Sequence, residues 1–156
     1  QADLETQARF AQDISGALTR TSRAVERIRN LRTQLQTRLS LLAAGARGET
    51  LRTAAQALLP KLDALEAKLH NPKAEISYDI LAQRGGAQLY SRLSPLFSFA
   101  TEAYGAPTQG MREVFAGQLA ELERHEATLR AIVGDDLTRI NALAREIGEE
   151  WIQAGE

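Results

Sequence analysis

The chain has 156 residues, is 44% hydrophobic and 25% charged, and contains no cysteine. This composition is typical of one globular domain, and it excludes disulfides, cysteine nucleophiles and cysteine-ligated metals. No apolar run approaches the ~20 residues of a membrane span, and the net charge of −1 gives no general attraction to nucleic acid or anionic membranes.

Residues 3–43 have the pattern of one long amphipathic helix. Asp3 is the expected N-cap, and Gly45 and Gly48 in the turn 44–49 are expected to end the helix and start the next. Apolar or small side chains, mostly at steps of three and four, share one face: Leu4, Ala11, Ile14, Leu18, Thr21, Val25, Ile28, Leu35, Leu39 and Leu42.

A second helix is expected over residues 50–70, with a stripe of leucines on one face. Pro60 lies inside it, which predicts a kink or a break into two shorter helices. Residues 73–84 lack a helical period and alternate in polarity at Ile76, Tyr78 and Ile80. Because no second strand is available for pairing, we interpret this segment as an extended crossover on the bundle surface.

A third helix is expected over residues 87–104, opened by Gly85 and Gly86 and kinked at Pro95. After the turn 105–110, a fourth helix begins at Pro107 or Thr108 and keeps its apolar stripe to about residue 150. Gly134, Asp135 and Asp136 interrupt that stripe, so the fourth helix is expected to kink or restart there. Residues 151–156 are expected to form a frayed tail.

These elements predict an all-α fold, a single helical-bundle domain over residues 1–156 with up-down-up-down connections. The first and last helices are long, the two middle helices are shorter and kinked, and one extended crossover joins them. The long pair would project beyond the short pair as a two-helix stalk. Such a stalk exposes apolar surface, which predicts a homodimer.

Charge is distributed unevenly along the chain. Residues 1–48 contain eight arginines and four acidic residues, whereas residues 111–156 contain five arginines and ten acidic residues. A basic stripe can bind phosphate or nucleic acid, but no aromatic residues are interleaved for base stacking. We therefore expect the stripe to pair with the acidic fourth helix, within the fold or across a dimer, and predict no nucleic-acid or membrane partner. The stripe consists of Arg9, Arg20, Arg23, Arg27 and Arg38.

No catalytic residue, cofactor or metal is predicted. Glu121 and His125 are four residues apart on the fourth helix and could share a metal ion. A di-iron bundle site, however, needs two Glu-x-x-His motifs, and the sequence contains none. A hydrogen-bonded, partly exposed His125 is the expected structural role.

The segment 78–92 is the candidate ligand site. Its glycine pair could hold an anion on backbone N–H groups, and its side chains supply hydroxyls, a carboxylate and guanidinium groups. The alternative is a structural lock, in which a Tyr–Asp or Arg–Asp bond fixes the loop. The residues concerned are Tyr78, Asp79, Arg84, Gly85, Gly86, Tyr90 and Arg92.

Two stretches, NPKAEISYDILAQRGGAQLYSRLSPL at 71–96 and GAPTQGMREVFA at 105–116, carry a family resemblance. The chain resembles the C-terminal helical region of large bacterial proteins with sialidase-type BNR repeats. These are sortilin-like β-propeller proteins labelled glycosyl-hydrolase-like. The resemblance implies that the chain is a C-terminal fragment of a longer protein, partnered by its own upstream propeller, to which any hydrolase activity would belong.

The expected function is therefore that of a non-catalytic helical accessory or assembly domain, active in interdomain packing or dimerisation. The alternative is a ligand-binding module that uses the segment 78–92 for a carbohydrate or a peptide. The compartment is left open, with export expected only if the full-length protein carries a signal peptide.

Overall fold

The computed structural model describes residues 2–42, 45–73, 85–103, 105–149 and 152–154. This part of the chain is an all-α helical bundle without strands, as the hydrophobic periodicity predicts. Its helices are α1 (Ala2–Leu41), α2 (Ala46–Leu69), α3 (Leu89–Glu102), α4 (Gln109–Ala131) and α5 (Thr138–Glu146). A π-helical segment, Ile132–Leu137, joins α4 to α5 without a break.

The long first helix is confirmed. It has 40 residues and is about 60 Å long. Its buried side chains recur at helical spacing from Phe10 to Leu35. Because the helix already includes Ala2, Asp3 is not its N-cap but an acidic residue in the first turn, where the helix dipole favours negative charge.

Helices α2 and α3 run in the same direction, and both are antiparallel to α1. Arg52 of α2 donates to the carbonyl of Leu42 at one end of the bundle. Gln7, near the start of α1, donates to the carbonyl of Ala100 in α3 at the other end. The α4–α5 rod runs parallel to α1, since the Phe10 and Phe115 rings lie 5.5 Å apart at the early end of both elements.

The short helices therefore stack end to end along α1. They contain 24 and 14 residues, which together nearly match the 40 residues of α1. The expected alternation does not extend to α3, and the described residues form no two-helix stalk. Alternation is enforced only by short connections, and residues 70–88 make a connection long enough to return α3 to the same direction.

Both prolines lie inside continuous helices. Helix α2 runs through Pro60, so the alternative of two separate helices is wrong, and α3 runs through Pro95. The rod does not restart at Gly134. Instead its wider π turn keeps Ile132 and Leu137 both buried, although they are five residues apart.

One apolar core follows the whole length of the bundle, built mostly from leucine, isoleucine and alanine. Helix α4 begins after Thr108, whose hydroxyl accepts a hydrogen bond from the backbone N–H of Met111 at 3.2 Å, as expected for an N-cap. None of the helices within the described ranges is both long and apolar enough to cross a bilayer. Residues 74–84 of the expected crossover lie outside the described residues.

Candidate functional sites

Asn71 is hydrogen-bonded to two residues on either side of residues 74–84, Lys73 and Gly86. Its buried amide donates to the carbonyl of Gly86 at 3.1 Å, and its oxygen accepts from the N–H of Lys73 at 2.9 Å. Gly85 has φ +100°, and a Cβ there would lie 3.3 Å from the Asn71 amide nitrogen. The positive φ favours glycine at this position, and a Cβ would also require the Asn71 side chain to move by a few tenths of an ångström.

The glycine pair does not form the first turn of a helix. Helix α3 begins at Leu89 rather than 87, with Gln88 as its N-cap residue. The carbonyl of Gly85 accepts from the Gln88 amide at 2.8 Å, and that of Gly86 accepts from Asn71. The glycines thus belong to a side-chain-braced turn before the helix, which differs from the expected helix opening.

Tyr90 and Arg92 contact different neighbours and do not converge. The Tyr90 ring meets the His70 ring edge to face, with centroids 6.2 Å apart. Both rings line an open depression together with side chains of α1, which are Ser22, Val25, Glu26 and Arg29. Arg92 instead bonds to α4. Tyr78, Asp79 and Arg84 lie outside the described residues.

Arg92 belongs to a polar cluster between α3 and α4. Its Nη2 donates to Glu121 Oε1 at 2.6 Å, and His125 Nε2 lies 3.5 Å from the same oxygen. The hydrogen bond from Arg92 lowers the pKa of Glu121; burial opposes this shift, and His125 adds to it. The cluster therefore holds a carboxylate between two basic side chains, with Gln118 one turn away on α4.

Three buried atoms of this cluster have no hydrogen-bond partner among the described residues: Arg92 Nε, Gln118 Oε1 and His125 Nε2. His125 is thus close to Glu121 but not well aligned for a hydrogen bond. No group of three metal-ligating side chains occurs within the described ranges. The cluster can therefore form charged and polar contacts between α3 and α4.

A second charged cluster joins α1 to α2. Glu66 accepts from Arg29 Nε at 2.6 Å, and its other oxygen lies 2.7 Å from Arg32 Nη1. Arg32 also donates to Asp63 at 2.8 Å. These contacts use arginines outside the expected stripe of α1.

The expected pairing of the stripe with the acidic fourth helix is confirmed at Arg20. Its Nε and Nη2 donate to the two carboxylate oxygens of Glu126 at 2.9 and 2.6 Å. This bidentate geometry is the strong form of an Arg–carboxylate pair. The hydrogen bond from Arg20 also lowers the pKa of Glu126 against the effect of burial.

Residues 152–154 form a site that the sequence patterns did not reveal. They were expected to belong to a frayed tail, but Ile152 is 4% exposed and packs into the core. Asn141 of α5 donates to the carbonyl of Ile152 at 2.9 Å and accepts from its N–H at 2.8 Å. Gln34 of α1 donates to the carbonyl of Gln153 at 3.0 Å and accepts from its N–H at 2.9 Å.

We call this feature the terminal groove, defined by Arg27, Gln34 and Asn141. Arg27 completes it by donating from Nε to the carbonyl of Ala154 at 3.0 Å. A hollow next to Ile152 continues along the groove and is lined mainly by the aliphatic side chains of Leu35, Leu39, Leu42, Leu51, Ala55, Ile140 and Ala144. The one sequence signal was an isolated isoleucine beyond the last helix.

The fold defines the class of the protein as an all-α helical bundle, with polar clusters between its helices and with residues 152–154 packed against α1 and α5. Neither a family model, nor a curated protein, nor a solved structure matches the chain.

Proposed function

We propose that the chain is a non-catalytic helical accessory domain that mediates interdomain packing or dimerisation. The supporting observation is that its charged side chains form ion pairs between different elements of the bundle. Arg20–Glu126, Arg32–Glu66, Arg92–Glu121 and Lys61–Asp136 each connect two different elements of the bundle. Charges placed in this way fix the helices against one another, which favours a rigid structural module.

The partner in this proposal is a sialidase-type β-propeller upstream in the same protein. The family resemblance of 71–96 and 105–116 supports that context, and any hydrolase activity is assigned to the propeller. The helical domain would then position the propeller or join two copies of the protein.

The test is to express the chain and the region encoded upstream as separate polypeptides and to measure their association by analytical ultracentrifugation. A stable complex is expected, or a self-associated chain that brings two upstream regions together. A chain that neither binds the upstream region nor self-associates would contradict the proposal.

A ligand-binding module is the second candidate, and the depression beside Tyr90 favours it. An aromatic ring, an imidazole, a guanidinium, a carboxylate and a hydroxyl lie on one open surface there, a combination suited to a sugar or a short peptide. Chemical shifts of His70 and Tyr90 would be followed while methyl glycosides and tetra-alanine are added. Saturable shifts at His70 that disappear in Tyr90→Ala, but not in Phe99→Ala, are expected for this function.

A further inference from the structure

The hydrogen bonds of the terminal groove are made to the backbone of the bound segment and not to its side chains. At Ile152 and Gln153, both the N–H and the carbonyl are bonded to a side-chain amide, and the carbonyl of Ala154 is bonded to Arg27. An amide side chain that both donates and accepts satisfies one residue of an extended chain as a neighbouring β-strand would. Backbone contacts of this kind accept many sequences.

One side chain of the occupant is selected by burial. Ile152 is 4% exposed, while Gln153 points outward and is exposed. The hollow beside Ile152 is lined mainly by leucine, isoleucine and alanine side chains. A charged or polar residue at this position would be buried against mostly apolar side chains, which favours an aliphatic residue there.

We propose that the terminal groove is a peptide-binding site for an extended segment with an aliphatic anchor, and that it accepts segment 152–154 of a second copy of this chain. The segment seated in the groove displays the required chemistry, and a second copy carries the identical segment. Exchange replaces each contact with an equal one, which makes it a low-cost route to a dimer. This inference rests on the dimerisation part of the proposed assembly function, for which it names a second copy of the chain as the partner.

The chain's own segment competes with exchange. A short tether keeps it at an effective concentration of about 1 mM, so wild-type dimers are expected only near that protein concentration. Two variants remove this competition. Ile152→Asp expels the segment from an intact groove and gives an acceptor, whereas Gln34→Leu with Asn141→Leu disables the groove and gives a donor with an intact segment.

The experiment mixes the folded acceptor and donor at equal concentration and measures their mass by analytical ultracentrifugation. A 1:1 complex is expected at concentrations about tenfold or more below those at which the wild type dimerises, because the acceptor has lost its cis competitor. Each variant alone is expected to remain monomeric. A mixture of two folded variants that forms no complex would overturn the proposal.

A dimer that persists in Ile152→Asp alone would also overturn the exchange, but it would leave the assembly function standing, because the copies would then associate through another surface. If the donor does not fold, a fluorescent peptide of residues 149–156 replaces it. Anisotropy should report binding to the acceptor, and the same peptide with aspartate at the isoleucine position should not bind. If both peptides bind equally, or neither binds, the proposal is contradicted.

Discussion

Arg32 and Glu66 form an ion pair of 2.7 Å between α1 and α2 in which only the carboxylate is buried. The side chain of Glu66 is 4% exposed, whereas those of its two partners, Arg29 and Arg32, are 49% and 26% exposed. The arginines cover the carboxylate and keep much of their own hydration. This arrangement limits the desolvation cost of the pair mainly to the acidic partner.

The effect of a Glu66 substitution on the free energy of unfolding should therefore depend on the side chain that replaces it. Glu66→Ala leaves a cavity and removes the carboxylate from two guanidiniums, so we expect the free energy of unfolding to fall by about 1–3 kcal/mol. Glu66→Leu fills the site with apolar volume and should remain within about 1 kcal/mol of wild type. Urea unfolding measures both variants.

Asp63→Ala is the matched control, since Asp63 also pairs with Arg32 but its side chain is 58% exposed. A loss of about 0–1 kcal/mol is expected there. If Glu66→Leu were as damaging as Glu66→Ala, the carboxylate itself rather than its volume would hold the helices together.

Glu121 should make the stability of the bundle sensitive to acid. Arg92 lowers the pKa of Glu121 in the folded chain below its ordinary value. The native state therefore binds fewer protons than the unfolded state, and stability is present above the unfolded pKa of about 4.3 and lost as pH falls through the lower folded value. The free energy of unfolding should fall on acidification from about pH 5 to pH 3.

Glu121→Gln should remove part of that slope and leave a smaller loss of stability at acid pH. Asp13→Asn, which changes an exposed carboxylate of α1, is the matched control for the loss of one negative charge. Denaturant midpoints measured at several pH values give the pH dependence of stability for the wild type and each variant. A Glu121→Gln curve parallel to that of the wild type would mean that the Arg92 pair does not contribute.

The end-to-end arrangement of α2 and α3 predicts a single cooperative unit. Leu62 of α2 and Leu89 of α3 are both 0% exposed in the same core. Leu62→Ala and Leu89→Ala should each lower the free energy of unfolding by about 2–5 kcal/mol within one transition. Leu41→Ala, at an exposed site of α1, should change it by less than about 0.5 kcal/mol.

Two separate thermal transitions would contradict that prediction, because they would mean that α2 and α3 melt independently. Differential scanning calorimetry distinguishes the cases by comparing the calorimetric and van't Hoff enthalpies.

The N-cap of α4 gives a prediction at the surface. Thr108 accepts from the N–H of Met111, which would otherwise lack an intrahelical partner. Thr108→Ala should lower the free energy of unfolding by about 1 kcal/mol, while Thr108→Ser should retain most of the stabilisation that the N-cap contributes. Chemical denaturation of the two variants checks this, and equal stabilities would show that the cap contributes nothing.

Periodicity was sufficient to predict the helices and most of the core. Ile14, Ile28 and Leu35 of the expected stripe of α1 are all buried, whereas Leu4 of the same stripe is 64% exposed. Periodicity says nothing about the direction of a helix after a long connection, and this is why the alternating topology failed at α3. The pairing of Arg20 with Glu126 followed from the charge asymmetry, because opposite charges on neighbouring helices attract.

The terminal groove could not be predicted, for a different reason. Gln34 and Asn141 are 107 positions apart in sequence and act on backbone atoms, which leave no mark on a hydrophobic pattern. Only Ile152, an aliphatic residue beyond the last helix, indicated that residues 152–154 pack against the bundle. The candidate segment 78–92 was visible from composition, yet the described part of it divides between two faces at Tyr90 and Arg92.

The side-chain amides of Asn141 and Gln34 should each slow hydrogen exchange at a different residue of segment 152–154. The N–H of Ile152 donates to Asn141 at 2.8 Å, and the N–H of Gln153 donates to Gln34 at 2.9 Å. Asn141→Ala should accelerate exchange at Ile152, and Gln34→Ala should accelerate it at Gln153, each by about fivefold, since a hydrogen bond contributes about 1 kcal/mol. Gln36→Ala, at an exposed site two residues from Gln34, is the control and should change neither amide. Nuclear magnetic resonance resolves the two rates, and wild-type amides that exchange as fast as those of a free peptide would show that the segment is not held in solution.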